Sequence, residues 1–174
     1  MSAYRFLYDS VFEALESCSV INTVEDYNEQ YLEPEQYNLV KYPAAYIETG
    51  VVNWNKDTTE FTITELEPQT GTAEINIHVV FNTLNGLNKV QKDRFFSICD
   101  FVVGTLQRLQ GGNTEIGTFT TLMRTREEYI TPNKQLRVAI ITFSTQLKDQ
   151  FINHSDEYVE ETVELVLTKE IEID

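Results

Sequence analysis

The residues that could carry out chemistry are few and scattered along this chain. Its two histidines, His78 and His154, are 76 residues apart, and no Cys-x-x-Cys or His-x-x-x-His pair accompanies them. Gly111 and Gly112 have neither the companion glycines nor the lysine of a nucleotide-binding loop. None of the serines lies in a Gly-x-Ser-x-Gly elbow. The sequence therefore predicts no catalytic centre, no metal and no cofactor.

One short segment imitates a calcium-binding loop. Asn53, Asn55 and Asp57 alternate as the oxygen ligands of such a loop do. The sixth position of that motif is Thr58 instead of glycine, and the twelfth is Thr64 instead of glutamate. We interpret the segment as a turn between two strands.

Acidic side chains dominate the composition. The 174 residues include 28 Asp or Glu and 13 Lys or Arg, which gives a formal charge of −15 at pH 7. Neighbouring carboxylates such as Glu127 and Glu128 follow from this composition and indicate a solvated surface rather than an acid–base pair. Because a grip on phosphates needs clustered cations, nucleic acid is not a predicted ligand. DNA could still pass an acidic wall without sticking to it.

The cysteines and the start of the chain indicate a reducing compartment. Cys18 and Cys99 fall at inward-facing positions of predicted helices, as buried thiols do. Asp9, Glu13 and Glu16 interrupt the first turns of the chain, so a secretory signal is not predicted, and no apolar run is long enough to cross a membrane. We expect a soluble protein made in the cytoplasm.

A period-two pattern from Thr72 to Thr83 predicts the central strand. One face is apolar, while the other is polar and places His78 toward solvent or an interface. The apolar positions are Ile75, Ile77, Val79 and Phe81. Further strands are predicted around residues 20–27, 43–52 and 59–66. The strands at 43–52 and 59–66 form an antiparallel meander with the central strand.

Two helices are predicted to cover this sheet. The first runs from Ser2, as its cap, to about Cys18 and packs on the sheet and on the second helix. The second begins after Asn88 and ends at Gly111-Gly112-Asn113, where a residue can take a positive φ. Its apolar stripe consists of Val90, Phe95, Ile98, Val102, Leu106 and Leu109.

Two long strands follow the second helix. They span Gly117 to Ile130 and Gln135 to Lys148. The second is apolar on both faces, which predicts an interior strand, and the charged far end of the first predicts an arm that projects into water. The fold class is thus α+β, a mainly antiparallel sheet of meander plus hairpin under an N-terminal and a central helix. We divide the chain into a domain at residues 1–148 and an acidic connector with a terminal strand at residues 149–174. This strand can complete the sheet of its own chain, the alternative that we favour, or add to the edge of a neighbouring copy.

The order of these elements resembles a known family. A helix of LYDSVFEAL type precedes strands around PAAYIE and TAEINIHVVF, a covering helix KDRFFSICDFVVGTLQRL and a hairpin ending in LRVAIITFSTQLKD. Over residues 2–148 this layout resembles the small tail-terminator and tail-completion proteins of long-tailed bacteriophages and prophages. The resemblance implies a structural virion protein without an active site. It also implies a ring, commonly hexameric, that caps the finished tail tube and docks to the head.

The resemblance also implies partners. These are further copies of the chain, the tail tube protein and a head-side connector or stopper protein, with DNA passing through unbound and assembly in the host bacterial cytoplasm. A ring needs heterologous contacts between copies, for which a tyrosine-rich loop, the hairpin and the terminal strand are candidates. The predicted interface residues are Tyr31, Tyr37, Arg124, Arg126, Tyr129, Pro132, Lys134, Val163, Leu165 and Leu167. Two other classes stay open: a small α+β enzyme or ligand-binding domain, and an acidic DNA mimic.

Overall fold

The computed structural model describes residues 2–32, 40–55, 69–83, 89–113 and 117–149. It confirms the α+β class, with two helices on a mostly antiparallel sheet. The predicted strand at residues 59–66 and the predicted terminal strand lie outside these ranges. The elements are α1 (Ala3–Glu16), β1 (Thr23–Asp26), a 3-10 turn (Gln30–Leu32), β2 (Ala44–Trp54), β3 (Gln69–Asn82), α2 (Lys89–Leu106), β4 (Gly111–Asn113), β5 (Gly117–Phe119), β6 (Met123–Ile130) and β7 (Leu136–Asp149).

The sheet is built around β3 and β7. Its order is β1-β2-β3-β7-β5-β4, and β6 also pairs with β7, on the same edge as β5. Only β1 and β2 run parallel among the described pairs. β2 and β3 pair directly and antiparallel, so the predicted meander, in which a further strand separates these two, is wrong. The single strand predicted from Gly117 to Ile130 is interrupted between β5 and β6, where the side chain of Leu122 is buried in the core.

The prediction of a projecting arm is wrong. β7 pairs with β3 along its whole length, from Asp149 opposite Gln69 to Leu136 opposite Asn82. The turn between β6 and β7 therefore lies level with the end of β3. The physical reason is the composition of β7, since Val138, Ile141 and other apolar residues on both of its faces are buried.

Both helices cover one face of the sheet. The Ser2 hydroxyl caps α1 by accepting a hydrogen bond from the Arg5 amide at 3.3 Å. The buried stripe of α1 meets α2 and the sheet, as predicted. The core under the helices includes Leu7, Val11, Leu15, Ile75, Ile77, Val79, Phe95, Ile98, Val102 and Leu106. No helix in the described ranges is long and apolar enough to cross a membrane.

The end of α2 differs from the prediction. The helix stops at Leu106, and residues 111–113 form β4, which pairs with β5. The positive φ belongs to Gly117 instead, at 139°. A Cβ atom there would lie 2.4 Å from the Lys148 carbonyl oxygen, so this position fits glycine for steric and conformational reasons.

Candidate assembly surface

An exposed group of aromatic rings lies where α2 meets β6. Phe96 and Tyr129 are 45% and 51% exposed, and their ring centroids are 5.5 Å apart in an edge-to-face arrangement. Phe95, buried beneath them, contacts the Tyr129 ring at 6.1 Å and Phe81 of β3 at 6.1 Å. We call Phe95, Phe96 and Tyr129 the aromatic seam. Because its lower ring belongs to the core, the seam is a rigid apolar feature on the surface.

Paired charges surround the aromatic seam along β6. Arg124 Nη1 donates to Glu127 Oε2 at 2.9 Å, and Arg126 pairs with Glu128. The Tyr129 hydroxyl donates to Glu127, and burial together with that carboxylate raises the pKa of Tyr129. Such exposed pairs add little stability but hold their side chains in register. The surface is therefore an ordered combination of rings and charges, as protein interfaces commonly are.

The outer edge of β6 pairs with no other strand within the described part of the chain. Two features protect this edge from indiscriminate strand addition. One is the run of charged residues, and the other is a register shift between Arg124 and Arg126. Both features make unspecific strand addition at this edge less favourable.

A polar network that is buried at His78 and partly exposed at Glu48 lies on the opposite face of the sheet. The Tyr31 hydroxyl lies 2.7 Å from His78 Nδ1, and His78 Nε2 lies 3.1 Å from Glu48 Oε2. The same carboxylate accepts a 2.8 Å hydrogen bond from Asn76, whose Oδ1 accepts one from Thr142 at 2.8 Å. The prediction that His78 faces solvent or an interface is wrong, since it is 3% exposed. The cause is a second small core around Tyr31, which covers this end of the polar face.

The charge states in this network follow from its geometry. A carboxylate can only accept, so His78 carries its proton on Nε2 and accepts from Tyr31 at Nδ1. Burial lowers the pKa of His78, against the opposing effect of Glu48. Burial raises the pKa of Glu48, but hydrogen bonds from His78 and Asn76 hold it below its ordinary value.

In the Tyr31–His78–Glu48 arrangement, His78 and Glu48 stand in the same order as a catalytic base and the carboxylate that orients it. Unlike such a base, His78 is not accessible to a substrate. Both ring nitrogens of His78 are occupied by side chains of the subunit. Tyr27 stacks on the imidazole with ring centroids 4.1 Å apart. A base must reach the proton that it removes, and His78 has no exposed face from which to do so. The network therefore ties β2, β3 and β7 to the 3-10 turn.

Comparison with solved structures adds one finding about the fold of the chain. Its fold is similar to that of a virion chain. The match is to a chain of a structure described as "Virion of native gene transfer agent (GTA) particle", with 13% identity and a TM-score of 0.50. It covers 79% of the present chain and 91% of that chain. No protein-family model and no curated protein matches the sequence.

The structure brings only part of the predicted interface together. Arg124, Arg126 and Tyr129 lie on β6, and the turn that follows holds the half-buried Pro132 and the exposed Lys134. Tyr31 is 2% exposed and belongs to the interior of its own subunit, so it is not available as a surface contact here. The predicted residues that lie outside the described ranges are Tyr37, Val163, Leu165 and Leu167.

Sequence reasoning missed the exposed aromatic residues of α2. Phe96 and Phe101 are both well exposed, although neither was among the predicted contacts. Their spacing contained the signal, because Phe95 and Phe96 are adjacent and cannot both face one core. Val90, predicted to belong to the buried stripe, is 74% exposed, which corrects that expectation.

Proposed function

We propose that this chain is a structural protein of a phage or prophage particle. In this proposal it forms a ring at the head-proximal end of the tail, terminates the tail tube and joins it to the head. The observation that supports the proposal is the similarity in fold to a chain of a virion particle, over 91% of that chain. The order of elements in the sequence supports the same assignment.

In this proposal the aromatic seam forms one contact of the ring. In a closed ring, one patch of each subunit meets a different patch of the next. Exposed aromatic rings fixed on a core are the side chains that most often dominate such contacts. The free edge of β6 beside the seam offers backbone groups to an added strand, and we propose the apolar face of residues 163–167 of a neighbouring copy as that strand.

The charge of the chain suits a passage for DNA. With 28 acidic against 13 basic side chains, a ring of several copies carries a large negative charge. Carboxylates along its inner wall would repel phosphates, so that DNA passes without specific binding. The partners in this account are the tail tube protein on one side and a head-side connector or stopper protein on the other.

The competing proposal is a small enzyme or ligand-binding domain, and the Tyr31–His78–Glu48 arrangement is the observation that favours it. The burial of Tyr31 and His78, at 2% and 3% exposed, supports a structural role instead. A ligand that bound there would have to displace Tyr31 or Tyr27 and would change the pH titration of His78. Titration of that histidine by NMR, with and without a candidate ligand, separates the two proposals.

The tail proposal is tested by mixing the protein with purified tail tubes and imaging the tube ends by electron microscopy. We expect ring-shaped density at one end of each tube. The charged variants Phe96→Glu and Tyr129→Glu are expected to reduce the fraction of capped ends, whereas Thr118→Glu, at an exposed site on β5, leaves it unchanged. Tubes whose two ends stay bare in the presence of wild-type protein would contradict the proposal.

A further inference from the structure

The outer face of α2 and the turn after it carry a stripe of exposed residues, one of which, Arg94, has its guanidinium 6.0 Å from the ring centroid of the buried Phe81. The stripe recurs at helical spacing, with Phe101 47% exposed near its middle. Its members are Val90, Arg94, Ser97, Phe101, Gly104 and Arg108. We call this set the outer α2 stripe.

Gly104 is the unusual member of the stripe. It lies within α2, where glycine costs about 0.5–1 kcal/mol relative to alanine. A Cβ atom at this position would meet no atom within 4 Å, so packing inside the subunit does not require glycine. Beside it is a shallow depression of about 420 Å³, lined by Asp100, Phe101, Gly104, Thr105 and Arg108. The missing side chain leaves room for another surface to approach the helix next to an exposed phenylalanine.

The net charges of two segments of the chain indicate which surface approaches the outer α2 stripe. From Lys89 to Arg108 the chain has four cations (Lys89, Lys92, Arg94, Arg108) and two carboxylates (Asp93, Asp100), a net +2 in a chain of −15. Residues 2–32 have one cation (Arg5) and six carboxylates (Asp9, Glu13, Glu16, Glu25, Asp26, Glu29), a net −5. The carboxylates of Glu13, Glu16, Glu25 and Glu29 belong to exposed residues. The two surfaces are therefore complementary in charge.

We propose that the outer α2 stripe binds a second copy of this chain, through the acidic surface of α1 and β1 on that copy. The inference rests on the proposed ring and specifies one of its contacts. Phe101 and the space at Gly104 form the centre of the contact, and Arg94 and Arg108 meet the carboxylates at its rim. Because the two patches differ, each copy offers a free patch to the next, which allows a ring to close.

Charge reversal tests the contact in the full chain. The variant Arg94→Glu with Arg108→Glu is expected to raise the concentration for half-assembly by about tenfold or more, as is Glu13→Lys with Glu16→Lys. The four changes combined in one chain are expected to restore assembly. Lys41→Glu with Lys148→Glu makes the same change in net charge as the arginine pair, at exposed sites elsewhere, and serves as its control. Light scattering measures assembly, and urea unfolding checks that each variant is folded.

A steric variant gives a second measurement. Gly104→Trp fills the depression without contacting the core, so we expect a folded subunit with weakened self-association. The proposal is overturned if the reversed charges leave assembly unchanged, if the combined variant is not restored, or if the stripe variants lose only their binding to tail tubes. If the wild-type protein forms rings and the variants assemble equally well, this contact is rejected but the proposed function is not. A wild-type chain that never self-associates would reject both.

Discussion

Replacing Tyr31 by phenylalanine removes one buried oxygen atom and tests whether the polar network holds the sheet together. The Tyr31 hydroxyl meets His78 Nδ1 at 2.7 Å, and both residues are at most 3% exposed. Phenylalanine keeps the ring that packs on Tyr46, with centroids 6.1 Å apart, so the change is confined to the hydroxyl and its contacts with His78 and Tyr27. The variant leaves the acceptor nitrogen of His78 without this donor.

The expected loss of stability follows from the burial of the Tyr31–His78 hydrogen bond. A buried polar group that loses its partner destabilises a protein by about 1–3 kcal/mol, more than the net value of an ordinary hydrogen bond. For a chain of this size, about 2 kcal/mol lowers the melting temperature by about 4–8 °C. The matched control is Tyr129→Phe, which removes a hydroxyl whose bond to Glu127 is on the surface. Its effect is expected to stay within about 0.5 kcal/mol.

Urea unfolding at pH 8, followed by far-UV circular dichroism, measures both variants under the same conditions. We expect the midpoint of Tyr31→Phe to fall well below that of Tyr129→Phe, with equal m-values. Equal midpoints would refute the reasoning, because they would show that the buried hydroxyl contributes no more than an exposed one.

Three other predictions follow from the same structure. Burial lowers the pKa of His78 from 6.5, so the unfolded chain binds more protons than the folded chain in mild acid. The urea concentration at the unfolding midpoint should therefore decrease as the pH falls below about 6.5, and His78→Gln should make this pH dependence weaker. A second loss is expected below about pH 4.5, as the pH falls through the lowered pKa of Glu48. Gly50→Ala places a Cβ atom 2.6 Å from a β3 carbonyl oxygen and should cost about 1–3 kcal/mol in urea unfolding, whereas Gly104→Ala should be neutral or stabilising. Burial, with two nearby carboxylates, raises the pKa of Cys99 to about 12, so its thiol should react with a disulfide reagent only after unfolding.

The sequence predicted the fold best where one periodicity extends over many residues. Ile75, Ile77 and Val79 alternate without interruption, and all three lie in the core under the helices. The apolar residues on both faces of β7 likewise predicted its interior place between β3 and β6. These elements are determined by local pattern because burial acts on every second residue of a strand.

The features that were missed depend on tertiary contacts. Polar residues on β3 predicted an exposed face, but Tyr31 arrives from a distant turn and encloses His78. The interruption before β6 likewise coincides with the burial of Leu122, whose amide donates to the Leu109 carbonyl oxygen beyond the end of α2. A glycine pair predicted a helix cap, although these glycines pair with β5 instead. In each case a contact between distant segments overrode the local preference.

The candidate site was predicted only in part for the same reason. Arg124 and Tyr129 were identified from the composition of the hairpin, and both are on the surface. Phe96 forms the other half of the aromatic seam but belongs to a different element, so no spacing along the chain connects it to Tyr129. Only the packing of α2 against β6 brings the two rings within 5.5 Å.

The central claim, that copies of this chain close into a ring, is tested most directly by the solution mass. Light scattering across a concentration series, alone and with added tail tubes, measures that mass, and electron microscopy shows the shape of the product. The account predicts a discrete closed oligomer, formed either by the protein alone or on the tube ends. A strict monomer at every concentration, indifferent to tail tubes, would contradict it.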